Sequence, residues 1–201
     1  MSAPSISAHE SRNLARYATK SRLYQWHTHA FHERIVEWVR RAAPASILDA
    51  GCGEGFGTGF IAERMPSARM EGVDVSPGAI AYAKEHFGQR VDYQVGSVYE
   101  LPYEDDSFDL VLCSEVLEHL DRPEDAVREI SRVARRHVLL TVPLEPYFDA
   151  LNRVGRAVGV GGDPGHVNFW TRTGWTEFVG RQFGRVETDT KLIYNLALAT
   201  L

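Results

Sequence analysis

The sequence lacks the features that mark secreted and membrane proteins. It has only two cysteines in 201 residues, Cys52 and Cys113, which is too few for a disulfide framework and is typical of a reducing compartment. No apolar run approaches the length that spans a bilayer, and the first 17 residues contain no apolar core like that of a signal peptide. We therefore predict a soluble cytoplasmic protein without a membrane partner.

The sequence also lacks an excess of positive charge. Its 22 lysines and arginines are outnumbered by 27 aspartates and glutamates, and the formal net charge is −5. Without an overall positive field, a phosphate backbone is not attracted, so nucleic acid is an unfavoured partner. We interpret the basic residues near the N-terminus as a solvated helix face; they are Arg12, Arg16, Lys20 and Arg22.

Short apolar runs alternate with helical patterns from Ser46 onward, which predicts a parallel sheet covered by helices. The predicted strands are Ser46–Ala50, Arg69–Asp74, Val91–Gly96, Phe108–Cys113, His137–Thr141, Gly184–Thr190 and Leu192–Thr200. Almost nothing separates the last two strands, so they should form a hairpin that adds one antiparallel strand to the sheet. Helices should begin near Thr58, Ser76, Pro123 and Thr171.

Two segments do not follow this alternation. The stretch from His9 to Arg41 predicts one or two amphipathic helices, whose buried positions are expected to be Leu23, Trp26, Phe31, Ile35, Trp38 and Val39. Residues 143–170 are rich in glycine and long for a connection, which is typical of a functional lid; a disordered surface insertion is the alternative.

A glycine-rich turn follows the first predicted strand. Gly51, Gly53 and Gly55 alternate with other residues there, so the backbone can approach a ligand closely. The second strand ends in Asp74, about twenty residues further on, where a carboxylate accepts hydrogen bonds from two ribose hydroxyls; a helix N-cap is the alternative role. Phe56 occupies the place of the third glycine of a dinucleotide fingerprint, so a nucleoside ligand without a pyrophosphate is favoured over NAD.

Further motifs follow the glycine turn in a fixed order. They are Ile47-Leu-Asp-Ala-Gly51-Cys-Gly53, Gly72-Val-Asp74-Val-Ser76-Pro77, Gly96-Ser-Val-Tyr-Glu-Leu-Pro102, Phe108-Asp-Leu-Val-Leu-Cys113-Ser-Glu-Val-Leu-Glu118-His119 and Val142-Pro143. With them, the region from about Ser46 to Phe183 resembles the class I S-adenosylmethionine-dependent methyltransferases, especially the small type-11-like domains. The resemblance implies an α/β, Rossmann-like three-layer sandwich with a seven-stranded, mostly parallel sheet, and S-adenosyl-L-methionine as cofactor.

The resemblance also implies where the cofactor lies. Gly51 and Gly53 are expected against its methionine moiety, Asp74 at the ribose, and Ser97 and Val98 beside the adenine, where family members usually carry an acidic residue in place of Ser97. Three further residues at strand ends complete the expected cofactor site: Asp49, Val75 and Cys113. Asp49 has turn stabilisation as its alternative role, and Cys113 has ordinary core packing.

His119 and His166 are the candidate catalytic residues, because imidazole is the commonest general base near neutral pH. A helix should open just after the fourth strand and place Glu115 on one face with Glu118 or His119. His166 should then close onto the acceptor as part of the lid. No metal is assigned. In the alternative interpretation these four residues hold a divalent ion, as in small-RNA 2′-O-methyltransferases, which His166–Thr171 also resembles.

We therefore predict one domain over residues 1–201: a helical cap (1–45), a cofactor-binding core (46–142), a lid (143–170), and a final helix and hairpin (171–201). The predicted reaction is O- or N-directed methyl transfer to a small-molecule acceptor. Residues 26–32 either line the acceptor pocket or place Trp26 and Phe31 in the core and His29 and His32 in solvent. The alternatives are an RNA 2′-O-methyltransferase, which would need a basic groove, and a non-catalytic S-adenosylmethionine-binding regulatory subunit.

Overall fold

The structure, a computed structural model, describes residues 22–147 and 165–201, without the side chains of Leu23 and Tyr24. Some of the predictions therefore lie outside the described residues. They concern Arg12, Arg16 and Lys20, the helical stretch before residue 22, the burial of Leu23, and residues 148–164 of the predicted lid.

Five helices and seven strands are described. The helices are α1 (Arg22–Ala42), α2 (Phe56–Arg64), α3 (Pro77–Phe87), α4 (Pro123–Val133) and α5 (Arg172–Gln182). The strands are β1 (Ser46–Ala50), β2 (Arg69–Asp74), β3 (Asp92–Val95), β4 (Phe108–Ser114), β5 (Ala134–Pro143), β6 (Val186–Lys191) and β7 (Tyr194–Thr200). All seven predicted strands are present, and β5 is longer than the predicted His137–Thr141 at both ends, since it spans Ala134–Pro143.

The strands form one sheet in the order β3-β2-β1-β4-β5-β7-β6. β7 runs antiparallel to both β5 and β6, and the other described pairings are parallel. The predicted seven-stranded, mostly parallel sheet with one antiparallel strand is confirmed. Because the chain order reverses between β1 and β4, the carboxyl ends of these two strands border the crevice in which open α/β sheets bind ligands.

Helices cover the two faces of the sheet and bury two separate apolar clusters. One cluster joins α1, α2 and α3 to the sheet, and its members include Ile35, Val39, Ile61 and Ile80. The other joins α4 and α5 to the opposite face and includes Ile130 and Trp175. This is the predicted three-layer arrangement. No helix within residues 22–147 and 165–201 is long and apolar enough to cross a membrane.

The buried face of α1 differs from the prediction at Trp26. Phe31, Ile35, Trp38 and Val39 are buried as predicted, but Trp26 is 61% exposed. Phe31, Ile35 and Trp38 follow the spacing of one helix stripe, and Trp26, five residues before Phe31, points well away from that stripe. The prediction for Trp26 was therefore wrong.

The starts of α3 and α5 confirm the predicted caps. The Ser76 hydroxyl accepts a hydrogen bond from the Ala79 amide, with Pro77 at the first helical position. The Thr171 hydroxyl accepts one from the Gly174 amide. These bonds satisfy amides that have no partner within the helix, and the Ser76 cap sets the direction of the chain directly after β2.

Candidate functional site

The glycine turn after β1 bends sharply against β2. The amides of Gly51 and Cys52 both donate to the Val73 carbonyl, at 2.7 and 3.0 Å. Gly51 has a φ of +88°, and a Cβ there would lie 2.4 Å from a methyl carbon of Val116. Gly53 also has a positive φ, but no atom of the described residues lies within 4 Å of the place of its Cβ. The turn therefore packs tightly at Gly51 and faces open space at Gly53.

Asp74, at the end of β2, connects this turn to the start of α3. Its Oδ2 accepts a hydrogen bond from the Gly53 amide and its Oδ1 accepts one from the Ser76 amide, both at 2.9 Å. Ser76, and not Asp74, is the N-cap of α3, so the alternative role of Asp74 as a helix cap is wrong. A carboxylate oxygen accepts more than one hydrogen bond, so Asp74 keeps acceptor capacity for a ligand at the open side of the turn.

Asp49, near the end of β1, is 6% exposed and binds within the protein. Its Oδ2 accepts a hydrogen bond of 2.6 Å from the Thr58 hydroxyl on α2. Burial raises the pKa of Asp49 to about 6, and the Asp74 carboxylate adds to the increase. A positive ligand group near this carboxylate would favour its ionised form.

The remaining predicted cofactor residues differ in exposure. Val75 is 72% exposed directly after β2. The Ser97 hydroxyl accepts a hydrogen bond from the Tyr99 amide at 3.2 Å, and Val98 packs in the core. Cys113 is fully buried among apolar side chains, and burial raises the pKa of its thiol. This placement favours core packing for the Cys113 side chain.

The segment after β4 contradicts the predicted helix. Glu115 has a φ of +58° and its amide donates to the Thr141 carbonyl, which turns the chain away from a helical path. A single 3-10 turn, Leu117–His119, follows. Glu115 and Glu118 therefore do not share a helix face, and local helical spacing was the wrong basis for grouping them.

A chain of hydroxyl groups leads to Glu115. The Ser114 and Thr141 hydroxyls lie 2.8 Å apart, and the Thr141 hydroxyl donates to Glu115 Oε1 at 3.2 Å. Thr141 is fully buried on β5. Sequence reasoning missed this arrangement, because the contact depends on the parallel register that places Ser114 beside Thr141.

His119 and His166 meet although they are distant in sequence. Their ring centroids lie 4.9 Å apart at 71°, and His119 Nδ1 is 3.3 Å from the Gly165 carbonyl oxygen. The structure therefore brings the two predicted catalytic histidines into one place, next to the end of β4.

Asn168 holds this contact in position, a role that sequence reasoning missed. Its side-chain amide donates to the Leu117 and Leu120 carbonyls at 3.0 and 2.6 Å, and the amides of Val167 and Asn168 donate to the Glu118 carbonyl. These bonds dock the described end of the predicted lid onto the 3-10 turn. The only sequence signal was an asparagine among apolar and aromatic residues.

Glu118 lies beneath the two histidines. It is 1% exposed, and its Oε2 has no hydrogen-bond partner in the described part of the chain. Burial, with the charge of Glu115, raises the pKa of Glu118 well above its usual value. Glu118, His119 and His166 each offer one ligand atom, and these atoms lie within 4.8 Å of one another, so this is the described group that could hold a metal ion.

Helix α1 reaches the same edge of the sheet from the opposite face. Phe31 and His27 pack against Tyr194, with ring centroids 4.0 and 5.5 Å apart, and Tyr194 pairs with Pro143 at the end of β5. His32 is buried against Phe60, and burial lowers its pKa to about 4. The alternative for residues 26–32 is therefore right for Phe31, which is buried, and for His29, which is exposed, and wrong for Trp26 and His32.

Comparisons with known proteins agree with this architecture. Residues 48–142 match the family described as "Methyltransferase domain". The malonyl-[acyl-carrier protein] O-methyltransferase of Hahella chejuensis is 36% identical over 104 residues, which are 51% of this chain and 37% of that protein. The ubiquinone biosynthesis O-methyltransferase of Dechloromonas aromatica is 33% identical over 114 residues, 53% of this chain and 48% of that protein. The chain spans less than half the length of these curated relatives.

A solved structure shares the fold over almost the whole chain. Magnesium protoporphyrin IX methyltransferase from Synechocystis PCC 6803, with bound SAH, superposes with a TM-score of 0.73 at 16% identity. The match covers 97% of this chain and 95% of that one.

Proposed function

We propose that the chain is a class I S-adenosylmethionine-dependent methyltransferase, which the match of residues 48–142 to the methyltransferase-domain family supports, and that it transfers a methyl group to a small-molecule acceptor. The observation that supports this most is the grouping at one sheet edge of an open glycine turn, the Asp74 carboxylate and the His119–His166 pair. The first two suit a nucleoside cofactor, and the histidines suit an acceptor.

The residues of the turn fit S-adenosylmethionine. Gly53 faces open space and Asp74 retains acceptor capacity beside it, as a ribose diol requires. We assign Gly51 and Gly53 to the methionine moiety, Val75, Ser97 and Val98 to the adenosine, and Asp49 to orientation of the turn through Thr58. For Cys113 only the backbone remains as a contact, because its thiol is buried in the core. The cofactor supplies a methyl group activated by a sulfonium.

His119 and His166 are proposed as the catalytic pair that contacts the acceptor. Both are half-buried, so the rings combine access to a ligand with partial exclusion of water. An acceptor hydroxyl must lose its proton as the bond from oxygen to the methyl group forms, and a protonated amine must lose one before its nitrogen can attack. A neutral imidazole accepts that proton near pH 7. The docked segment Gly165–Trp170 would also lower the barrier by positioning the acceptor for methyl transfer.

A small organic acceptor fits the surroundings of the histidines. Phe169, 62% exposed, lies beside His166, and Phe31 with Tyr194 borders the same sheet edge from α1. Aromatic walls with few polar groups are typical of small-molecule sites. The two relatives named above are O-methyltransferases, as their names state, and two others of similar identity are named as N-methyltransferases, so the proposed acceptor atom is oxygen or nitrogen.

Calorimetry and a metabolite screen test this function together. The purified chain should bind S-adenosylmethionine and its demethylated product but not NAD, and a panel of phenols, carboxylic acids and amines should contain an acceptor that yields the demethylated product. Binding without turnover on any member would favour the regulatory-subunit alternative. A response to NAD alone would overturn the assignment.

A further inference from the structure

We infer that Glu118, His119 and His166 form a binding site for a zinc-type divalent ion, and that its occupation blocks methyl transfer instead of supporting it. The binding site stands on its own geometry. The blocking effect rests on the proposed function, in which both histidines contact the acceptor.

The three side chains already surround one point. Their ligand atoms lie within 4.8 Å of one another. Ligands at 2.0–2.2 Å from a tetrahedral zinc are about 3.3 Å apart, so the group needs to contract by roughly 1.5 Å at most. Both histidines are half-buried, and small rotations of two imidazole rings cover such a distance.

The buried Oε2 of Glu118 gives the site an acceptor that no described residue satisfies. Its Oε2 is buried and has no hydrogen-bond partner in residues 22–147 and 165–201. A buried oxygen without a partner costs free energy, and a buried carboxylate is stabilised by pairing or by metal coordination. An ion between Glu118 and the histidines would supply that partner.

The arrangement around His119 matches a ligand histidine. Its Nδ1 faces the Gly165 carbonyl at 3.3 Å, and a histidine that binds a metal commonly donates its other ring N–H to a carbonyl. With the proton on Nδ1, Nε2 carries the lone pair that would bind the ion. Val167 and Asn168 bind the Glu118 carbonyl, so the segment that carries His166 is fixed to the segment that carries the other two ligands.

The donor set favours zinc over magnesium. Two imidazoles and one carboxylate suit borderline ions such as Zn²⁺ or Co²⁺, whereas Mg²⁺ prefers an octahedral shell of oxygens. Coordination uses the nitrogen lone pair with which an imidazole accepts a proton. With zinc bound, His119 and His166 could therefore not accept a proton from the acceptor.

Titration of the untagged, metal-stripped chain with Zn²⁺ in a calorimeter tests the site. We expect one ion per chain, a Co²⁺ adduct with the visible absorption of a four-coordinate complex, and no heat with Mg²⁺. His166→Ala and Glu118→Gln should each weaken zinc binding at least about tenfold. The exposed histidine on α3 provides the matched control: His86→Ala should bind zinc as the parent does.

The outcomes separate this inference from the proposed function, because binding is measured without cofactor or acceptor. Zinc affinity unchanged in His166→Ala, or zinc binding absent from the parent chain, overturns the site and leaves the methyltransferase assignment intact. His166 is half-buried, so His166→Ala should fold. That variant still tests the site if Glu118→Gln does not fold. Once an acceptor is known, zinc should inhibit the parent, and added chelator should reverse the inhibition; unaltered turnover in zinc-saturated protein overturns the blocking effect.

Discussion

Among single residues, Asp74 combines two roles, since it orders the glycine turn and is proposed to bind the ribose. Asp74→Ala removes a charged acceptor for two hydroxyls and should weaken S-adenosylmethionine binding by about 1.5–3 kcal/mol. Calorimetry on the folded variant measures this loss. The control is Asp92→Asn. Asp92 is an exposed carboxylate at the start of β3, whereas Asp74 lies beside the other end of that strand, so this variant should bind the cofactor as the parent does. Unchanged affinity in Asp74→Ala would place the ribose elsewhere.

Asp49 should make stability depend on pH. Its pKa in the folded protein, about 6, lies above the ordinary value of 3.8 because of burial. Its contribution to stability is therefore fully present below pH 3.8 and is lost as the pH rises through about 6. An asparagine side chain in its place cannot ionise, so Asp49→Asn should gain stability relative to the parent by about 1–3 kcal/mol between pH 4 and 7.

Urea unfolding of the parent and of Asp49→Asn across this pH range measures the change. The difference in unfolding free energy between the two proteins should rise with pH and become level above about pH 7. A difference that stays constant across the whole range would show that the Asp49 carboxyl titrates normally. It would then lack the strongly desolvated environment that the structure gives it.

The turn between β1 and α2 distinguishes two glycines that look alike in sequence. Both have positive φ, but only at Gly51 would a Cβ meet another side chain, 2.4 Å from Val116. Gly53→Ala should cost about 1–2 kcal/mol from backbone strain, whereas Gly51→Ala adds overpacking and should cost about 2–5 kcal/mol. Chemical denaturation of both variants measures the order.

Cofactor binding should show the opposite order in the same pair. Gly53 faces the open space assigned to the methionine moiety, so a methyl group there would obstruct the ligand more than it disturbs the fold. Equal stability of the two variants would contradict the packing of Val116 under Gly51, and full cofactor affinity in Gly53→Ala would contradict the assigned position of the methionine moiety.

For the molecule as a whole, we predict methyl transfer that needs no metal. His119 and His166 supply the proton acceptor in the proposed reaction, and chelation of the purified protein should leave turnover and cofactor affinity unchanged. His166→Ala should lower turnover while leaving cofactor affinity nearly intact, because Asp74 binds the amides of the glycine turn and of Ser76, whereas His166 packs against His119.

A steady-state assay before and after exhaustive dialysis against chelator makes the comparison. Loss of turnover on chelation, restored by magnesium or manganese and abolished by Glu118→Ala, would move the RNA 2′-O-methyltransferase alternative to first place. The net charge of −5 weighs against that outcome, because RNA binding is dominated by cationic side chains.

The sequence by itself determined the layered fold and located the glycine turn and Asp74, to which we assign the cofactor. Apolar runs of strand length mark β1 and β4, and the caps at Ser76 and Thr171 mark where helices begin, because these signals depend on residues close in sequence. The glycine turn and Asp74 were found for the same reason, since each ends a strand that its own composition identifies.

Only the tertiary structure decided the arrangement of the proposed acceptor site. The left-handed turn at Glu115 follows from its bond to Thr141 on the neighbouring strand, and the contact of His119 with His166 depends on Asn168, about 50 residues away from the turn it binds. The burial of His32 and Cys113 and the exposure of Trp26 were likewise settled by which surfaces pack together. Contacts between distant segments depend on strand register and helix packing, and local residue patterns do not specify either.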